Sequence, residues 1–185
     1  MRFWLSCSMA GHRRSGGVTG EIEIRPARPR DVDALAGLGM ALHQLHVDDR
    51  PDVFRAVDLS ALREFFRSQM VDGMHVLLAS IGPEAVGYLL AEHRRREADA
   101  FRQELSILYI HHLAVSPSAR RNGIGGRLID AAAAAARELK ASGLRLDAWQ
   151  FNTAAHDFFR AHGFSPMNVI FERDLPRGPQ PSGAE

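Results

Sequence analysis

The stretch SILYIHHLAV (106–115) is apolar nearly throughout, and it is followed within a few residues by ARRNGIGGRL and six consecutive alanines, 131–136. No other feature restricts the fold as much. A strand without a polar face must be covered on both sides, which predicts a central place in a sheet. Alanine is the strongest helix former, and an alanine face lets a helix pack close to that sheet. Between strand and helix stand Gly123, Gly125 and Gly126. Glycine inside a helix costs roughly 0.5–1 kcal/mol relative to alanine, so three of them at a helix entrance predict that something approaches the backbone closely. A strand, a short turn and a glycine-rich helix start together form an anion site, where free N–H groups and the positive helix end converge.

The surrounding pattern supplies the other elements. EIEIR (21–25) alternates and predicts a strand. Asp31 is placed to cap a helix carrying Leu35, Leu38, Leu42 and Leu45 at spacings of three and four. Leu59, Leu62, Phe66 and Met70 mark a second helix. MHVLLAS (74–80) and EAVGYLLAEH (84–93) flank a turn and predict a hairpin, with a charged loop after it that includes Arg94 to Arg96. The alanine helix should bury Leu128, Ile129, Ala132, Ala136 and Leu139, and Gly143 is its expected C-cap. A strand over 144–151, a helix capped by Asn152 and ended by Gly163, and a last strand over 167–175 complete the order. This is an α/β (α+β) chain with a mixed, mostly antiparallel sheet flanked by helices on both faces.

Composition narrows the classes further. The chain has 185 residues, favouring one domain, read as 21–175 between a basic N-terminal tail (1–20) and a Pro/Gly/Ser-rich C-terminal tail (176–185), both expected to be disordered. Met9 is an alternative start. A formal net charge of +1 gives no bulk field for nucleic acid or an anionic membrane. The apolar patch Phe3–Leu5 is short of the roughly 7–15 residues of a secretory signal. No run approaches the roughly 18 residues of a membrane span. One cysteine, Cys7, permits no intrachain disulfide and fits a reducing cytoplasm.

Three phosphate-binding patterns can be compared with the glycine loop. The G-x-x-x-x-G-K-[ST] loop is absent, and G-x-G-x-x-G fails because Leu128 stands at its third glycine. Arg120-Arg121-Asn122-Gly123-Ile124-Gly125 matches R-x-x-G-x-G. In this respect the chain resembles the GNAT superfamily of N-acetyltransferases, whose corresponding loop holds the pyrophosphate of coenzyme A. Asn152, Ala155, Phe158, Gly163 and Phe164 resemble the second signature of that family, N-x-x-A-x-x-F-x-x-x-x-G-F, and the similarity spans about residues 21–175.

The resemblance implies a GNAT fold and acetyl-CoA as co-substrate. The backbone of Arg121, Asn122, Gly123, Ile124, Gly125 and Gly126 would hold the pyrophosphate, with charge from Arg120 and Arg121. Leu113, Ala114 and Val115 would pair with the pantetheine arm like an extra strand, and Asn152 would bond to it beside Ala155 and Phe158. Acetyl transfer needs a neutral amine, whereas a lysine-like amine of pKa about 10.4 is protonated at neutral pH. His111 is the expected base, since a histidine pKa near 6.5 suits the task, and Tyr109 is the expected acid or amine-orienting group. Strand alternation puts Tyr109, His111 and Leu113 on one face and Ile110, His112 and Ala114 on the other, unless a bulge exchanges them and promotes His112.

One departure stands out: Phe159 occupies the place where many family members carry an acidic tyrosine. A CoA thiolate with a pKa near 8.5 leaves with little help, so the loss weakens the mechanism without excluding it. It also leaves open a non-catalytic acyl-CoA-binding or regulatory module. A phosphate- or nucleotide-binding domain of another family rests on the glycines alone. His43 and His46, three residues apart, read as a helix-end surface, and no metal site is expected. Asp48, Asp49 and Asp52 are placed either to attract a cationic amine or simply to be solvated. The acceptor amine, a small molecule or a peptide, is not specified by the sequence, and the resemblance leaves room for a homodimer.

Overall fold

A computed structural model of the chain describes residues 20–173 and residue 175. Apart from Gly20, the expected tails lie outside the described residues. Five strands form one sheet in the order β1 (Ile22–Pro26), β2 (Met74–Ile81), β3 (Glu84–Arg96), β4 (Leu105–Val115) and β5 (Leu144–Arg145). The first four pair antiparallel, and β5 joins β4 in parallel. The helices are α1 (Val32–Asp49), α2 (Leu59–Ser68), α3 (Ile124–Glu138) and α4 (Thr153–Ala161).

Each face of the sheet has its own core. Leu89, Ala91, Leu108, Ile110 and Leu113 meet Ile124, Leu128, Ile129, Ala132 and Ala136 of α3. On the opposite face Leu78, Tyr88 and Leu90 meet Leu35 and Leu42 of α1 and Phe66 of α2. Each large apolar side chain so buried contributes about 1.5–3 kcal/mol. The helices of both layers thereby fix the central strand from which the candidate site is built.

Several local expectations change. Asp31 precedes α1, but its carboxylate accepts two bonds from Arg25 (2.8 and 2.9 Å) and one from the Arg28 amide (2.7 Å), not one from an α1 amide. Gly143 does not cap α3. Lys140 takes the left-handed conformation (φ 55°), and the Ala141 amide closes back on the Ala136 carbonyl at 2.8 Å. Arg94–Arg96 continue β3 and are not in a loop, because the β3–β4 ladder runs on to Arg96 opposite Leu105. The strand expected over 144–151 pairs only at Leu144 and Arg145. Residues 167–173 belong to no strand, since no described backbone pairs with them. Gly163 does end α4 (φ 82°), with the Phe164 amide bonded to the Phe159 carbonyl.

Candidate active site

The divergence of β4 and β5 opens the site. Their ladder stops at Tyr109 opposite Arg145, so the β4 edge from residue 110 onward is not covered by β5. A groove of 640 Å³ runs alongside it. Its walls include Leu113, Ala114 and Val115 of β4, Leu38 and Leu42 of α1, Arg120 to Gly126 without Asn122, and Thr153, Asp157 and Phe158 of α4. Of the predicted site residues, Asn122, Asn152, Ala155, Tyr109 and His111 do not line it, and Ala155 is fully buried in the core.

The head of the groove is built for an anion. Arg121 and Gly123 both adopt left-handed conformations (φ 65° and 75°), and α3 begins directly afterwards. Such left-handed residues turn successive amides into a concave nest, which adds to the positive helix end. Gly123 needs its glycine for that conformation. Gly125 needs it for another reason: a Cβ there would lie 2.9 Å from the Phe158 ring. The close approach inferred from the glycines is thus made in part by α4 itself. Arg120 donates from Nε to the Val115 carbonyl at 3.3 Å, pinning the loop to the end of β4.

Asn152 supplies an independent sign of a missing partner. Its Oδ1 accepts from the Ala155 amide at 3.1 Å and caps α4, as its position predicts. Its Nδ2 is buried with no hydrogen-bond partner among the described residues. An unsatisfied buried amide costs about 1–3 kcal/mol. The groove, the nest and this donor together fit the elongated, polyanionic shape of coenzyme A.

The reacting end of the site departs from simple alternation. The β3–β4 register shifts so that Leu90 faces His112 while Ala91 faces Ile110, leaving His111 as the extra residue of a bulge. The bulge keeps Tyr109, His111 and His112 toward the α1–α2 side. His112 does not join the polar site: its Nδ1 meets the Tyr88 hydroxyl at 3.1 Å and its ring stacks on Phe65. Burial pushes its pKa down to about 3, so it stays neutral.

His111, 4% exposed, sets Nε2 2.9 Å from Glu92 Oε2. The same oxygen accepts from Arg94 Nε at 2.7 Å. The Arg94 guanidinium also lies over the Tyr109 ring, 3.7 Å from its centre, and the Tyr109 hydroxyl donates to Asp147. Burial lowers the His111 pKa more than the Glu92 bond raises it, keeping the ring neutral near pH 7. Burial alone would raise the Glu92 pKa, but the bonds from Arg94 and His111 together prevail and lower it, keeping the carboxylate charged. A neutral imidazole held against a carboxylate can accept and pass on a proton.

Glu92, Arg94 and Asp147 were not recognisable as site residues in sequence. Glu92 and Arg94 do share a face by alternation, but nothing in the chain marks their register against β4. Beyond Asp147, Arg50 stacks over Trp149 (4.9 Å) and pairs with Asp52 and Glu172. His46 is buried rather than on the surface, with Nδ1 bonded to the Leu42 carbonyl, while His43 bonds to the Arg55 carbonyl. Among the described residues no cluster of His, Cys, Asp or Glu is arranged to hold a metal, and no helix is long and apolar enough to cross a membrane.

Residues 40–164 match the model of the Acetyltransferase (GNAT) family, and the chain belongs to that family. Solved structures agree in fold. A tetramutant of the BH1408 protein from Bacillus halodurans superposes with a TM-score of 0.79 at 24% identity, over 83% of this chain and 99% of that one. The aminoglycoside N-acetyltransferase AAC(6')-Iy, in complex with CoA, does so at 0.69 and 20%, over 84% and 96%. A transcriptional regulator from Bacillus halodurans C-125 gives 0.64 and 20%, over 84% and 100%. No curated protein sequence matches this chain.

Proposed function

We propose that the chain is an N-acetyltransferase that moves the acetyl group of acetyl-CoA to a primary amine by direct attack in a ternary complex. The observation that carries this reading is the groove along Leu113–Val115 that ends at the nest of Arg121 and Gly123; the unpartnered Nδ2 of Asn152 and the Glu92–His111 pair support the reading from outside its walls. Acetyl-CoA supplies an activated thioester that an amine converts to an amide, releasing the thiol. The amides of the 121–126 loop, with the Arg120 and Arg121 charges, hold the pyrophosphate. The exposed edge of Leu113–Val115 and the Asn152 amide hold the pantetheine arm, and Phe158 walls it.

The Glu92–His111 pair takes the proton that the acceptor ammonium must lose. Tyr109, fixed by Arg94 and Asp147, orients the amine. The carboxylates Glu92 and Asp147 favour a cationic acceptor. Phe159 is 4% exposed within the α3-side core and has no proton to donate, so the thiolate leaves without an acid from that position. The working compartment proposed for this chemistry is the cytoplasm, where acetyl-CoA is made and used.

Calorimetric titration with acetyl-CoA tests the donor half. Arg121→Glu is the suitable variant: it puts negative charge on the nest from an exposed side chain, whereas a substitution at Gly125 would also strike Phe158. Wild-type binding that weakens tenfold or more in Arg121→Glu, about 1.4 kcal/mol, with circular dichroism unchanged, is expected. Absence of wild-type binding overturns the reading. Binding without thiol release across a panel of amines would favour the non-catalytic module, the reading to which Phe159 lends support.

A further inference from the structure

An arginine beside the proposed base raises a problem for a simple amine acceptor. The acceptor reaches the site as an ammonium and must lose a proton there. The Arg94 guanidinium repels that ammonium, and it disfavours the protonated imidazole of His111. Its position is not a core one: 31% of the Arg94 side chain is exposed, as is 38% of Glu92.

The guanidinium is nevertheless held from two sides. Nε donates to Glu92 Oε2 at 2.7 Å, and the group lies 3.7 Å from the centre of the Tyr109 ring, whose hydroxyl is tied to Asp147. Its two Nη groups make no hydrogen bond among the described residues. Arg50, which lies over Trp149 in a similar way, is different: its Nε and Nη2 are taken by Asp52 and Glu172. Glu92 Oε1 likewise accepts no bond among the described residues, since Arg94 and His111 both use Oε2. A fixed fork of donors and a carboxylate oxygen thus stand side by side, both open to solvent. A guanidinium fork matches a carboxylate with two parallel bonds, and a carboxylate oxygen matches an ammonium.

The spacing selects the ligand further. Arg94 Nε and His111 Nε2 bond to the same oxygen, at 2.7 and 2.9 Å. Fork and base are therefore two hydrogen bonds apart, a gap that an amine and a carboxylate on one carbon bridge. We infer that the acceptor is an α-amino acid, with its carboxylate on the Nη groups of Arg94 and its ammonium on Glu92 Oε1. The inference rests on the acetyltransferase reading and names its acceptor class. The carboxylate cancels the guanidinium charge as the substrate binds, which removes the problem that the arginine poses. A polyamine, a peptide N-terminus or a lysine side chain brings no carboxylate beside its amine and leaves the fork unpaired. The transfer balances: the ammonium gives one proton to the Glu92–His111 pair, and the free amine attacks the thioester carbon. The C–N bond forms, the C–S bond breaks and the thiolate takes up the second amine proton. The products are an N-acetyl amino acid and CoA thiol, and the pair returns its proton to water.

Thiol release at saturating acetyl-CoA, measured with the common L-α-amino acids and with their α-carboxamides, tests this. A carboxamide gives up its ammonium proton more readily than the parent acid, so unassisted chemistry favours the carboxamide. At least one amino acid should instead exceed its carboxamide by about tenfold or more in kcat/KM, about 1.4 kcal/mol, chiefly through KM. In Arg94→Gln that ratio should fall to about one. The ratio is taken within each protein, so a general loss of rate cancels. Carboxamides, or a diamine such as diaminobutane, used as well as the amino acids or better would overturn the inference and leave the acetyltransferase standing. A preference that survives Arg94→Gln would do the same. Acetyl-CoA binding with no thiol release from any amino acid also overturns it, and release from the other amines then tells whether the transferase reading falls with it.

Discussion

The proposed donor and acceptor halves of the site are made in different ways. The donor half is built mainly from backbone: the left-handed turns at Arg121 and Gly123, the first amides of α3, and the β4 edge that β5 leaves uncovered. Most of it lies within one continuous stretch, 113–126. The acceptor half is built from side chains brought from β3, β4, the segment after β5 and the end of α1. Backbone geometry depends on local sequence, so one stretch can carry a recognisable signature. A side-chain cluster drawn from four elements depends on register and packing, and leaves none.

This contrast predicts separable effects. The largest lies on the acceptor side. His111→Ala should lower kcat by about 10²–10⁴-fold, the usual range for a general base, while the acetyl-CoA Kd from calorimetry stays within about twofold. That would be the converse of Arg121→Glu. An equal loss of acetyl-CoA affinity would show that the halves are not separate.

A middle-sized effect should appear in the pH profile. Arg94 disfavours the protonated form of His111 and holds the Glu92 carboxyl down. The wild-type acid limb of kcat/KM should therefore lie below the ordinary histidine pKa of 6.5. In Arg94→Gln both influences vanish, and the limb should move to higher pH with the acetyl-CoA Kd unchanged. An acid limb that stays in place would separate Arg94 from proton transfer. Because Glu92 and His111 share a hydrogen bond, the limb belongs to the pair.

The smallest effect lies outside both halves and serves as their control. The Arg25 hydrogen bond, with that of the Arg28 amide, outweighs burial and holds the Asp31 pKa down to about 2. A carboxylate whose folded pKa is depressed contributes stability that is present above its unfolded pKa and is lost as pH falls through the folded value. Urea unfolding should therefore show stability declining from about pH 4 towards pH 2. Asp31→Asn should flatten that decline without altering acetyl-CoA binding. An unchanged slope would mean that the Arg25–Asp31 bond does not persist in solution.

By itself the sequence determined the element order as far as α4, the central place of 106–115, the glycine-rich entry to α3 and the capping of α4 by Asn152. Each follows from short-range pattern: period, propensity, or a polar atom within a few residues of the amide it caps. It also exposed the choice at His111 and His112, since alternation predicts faces only while the ladder is unbroken. Tertiary structure decided the rest. The bulge kept His111 in the polar site beside Glu92 and sent His112 against Tyr88 and Phe65, a result that depends on pairing with β3. Packing of Phe158 supplied a second reason for Gly125. The stretch 167–173 has a strand's sequence, but among the described residues no backbone pairs with it, because pairing is a property of two segments and a sequence pattern describes only one.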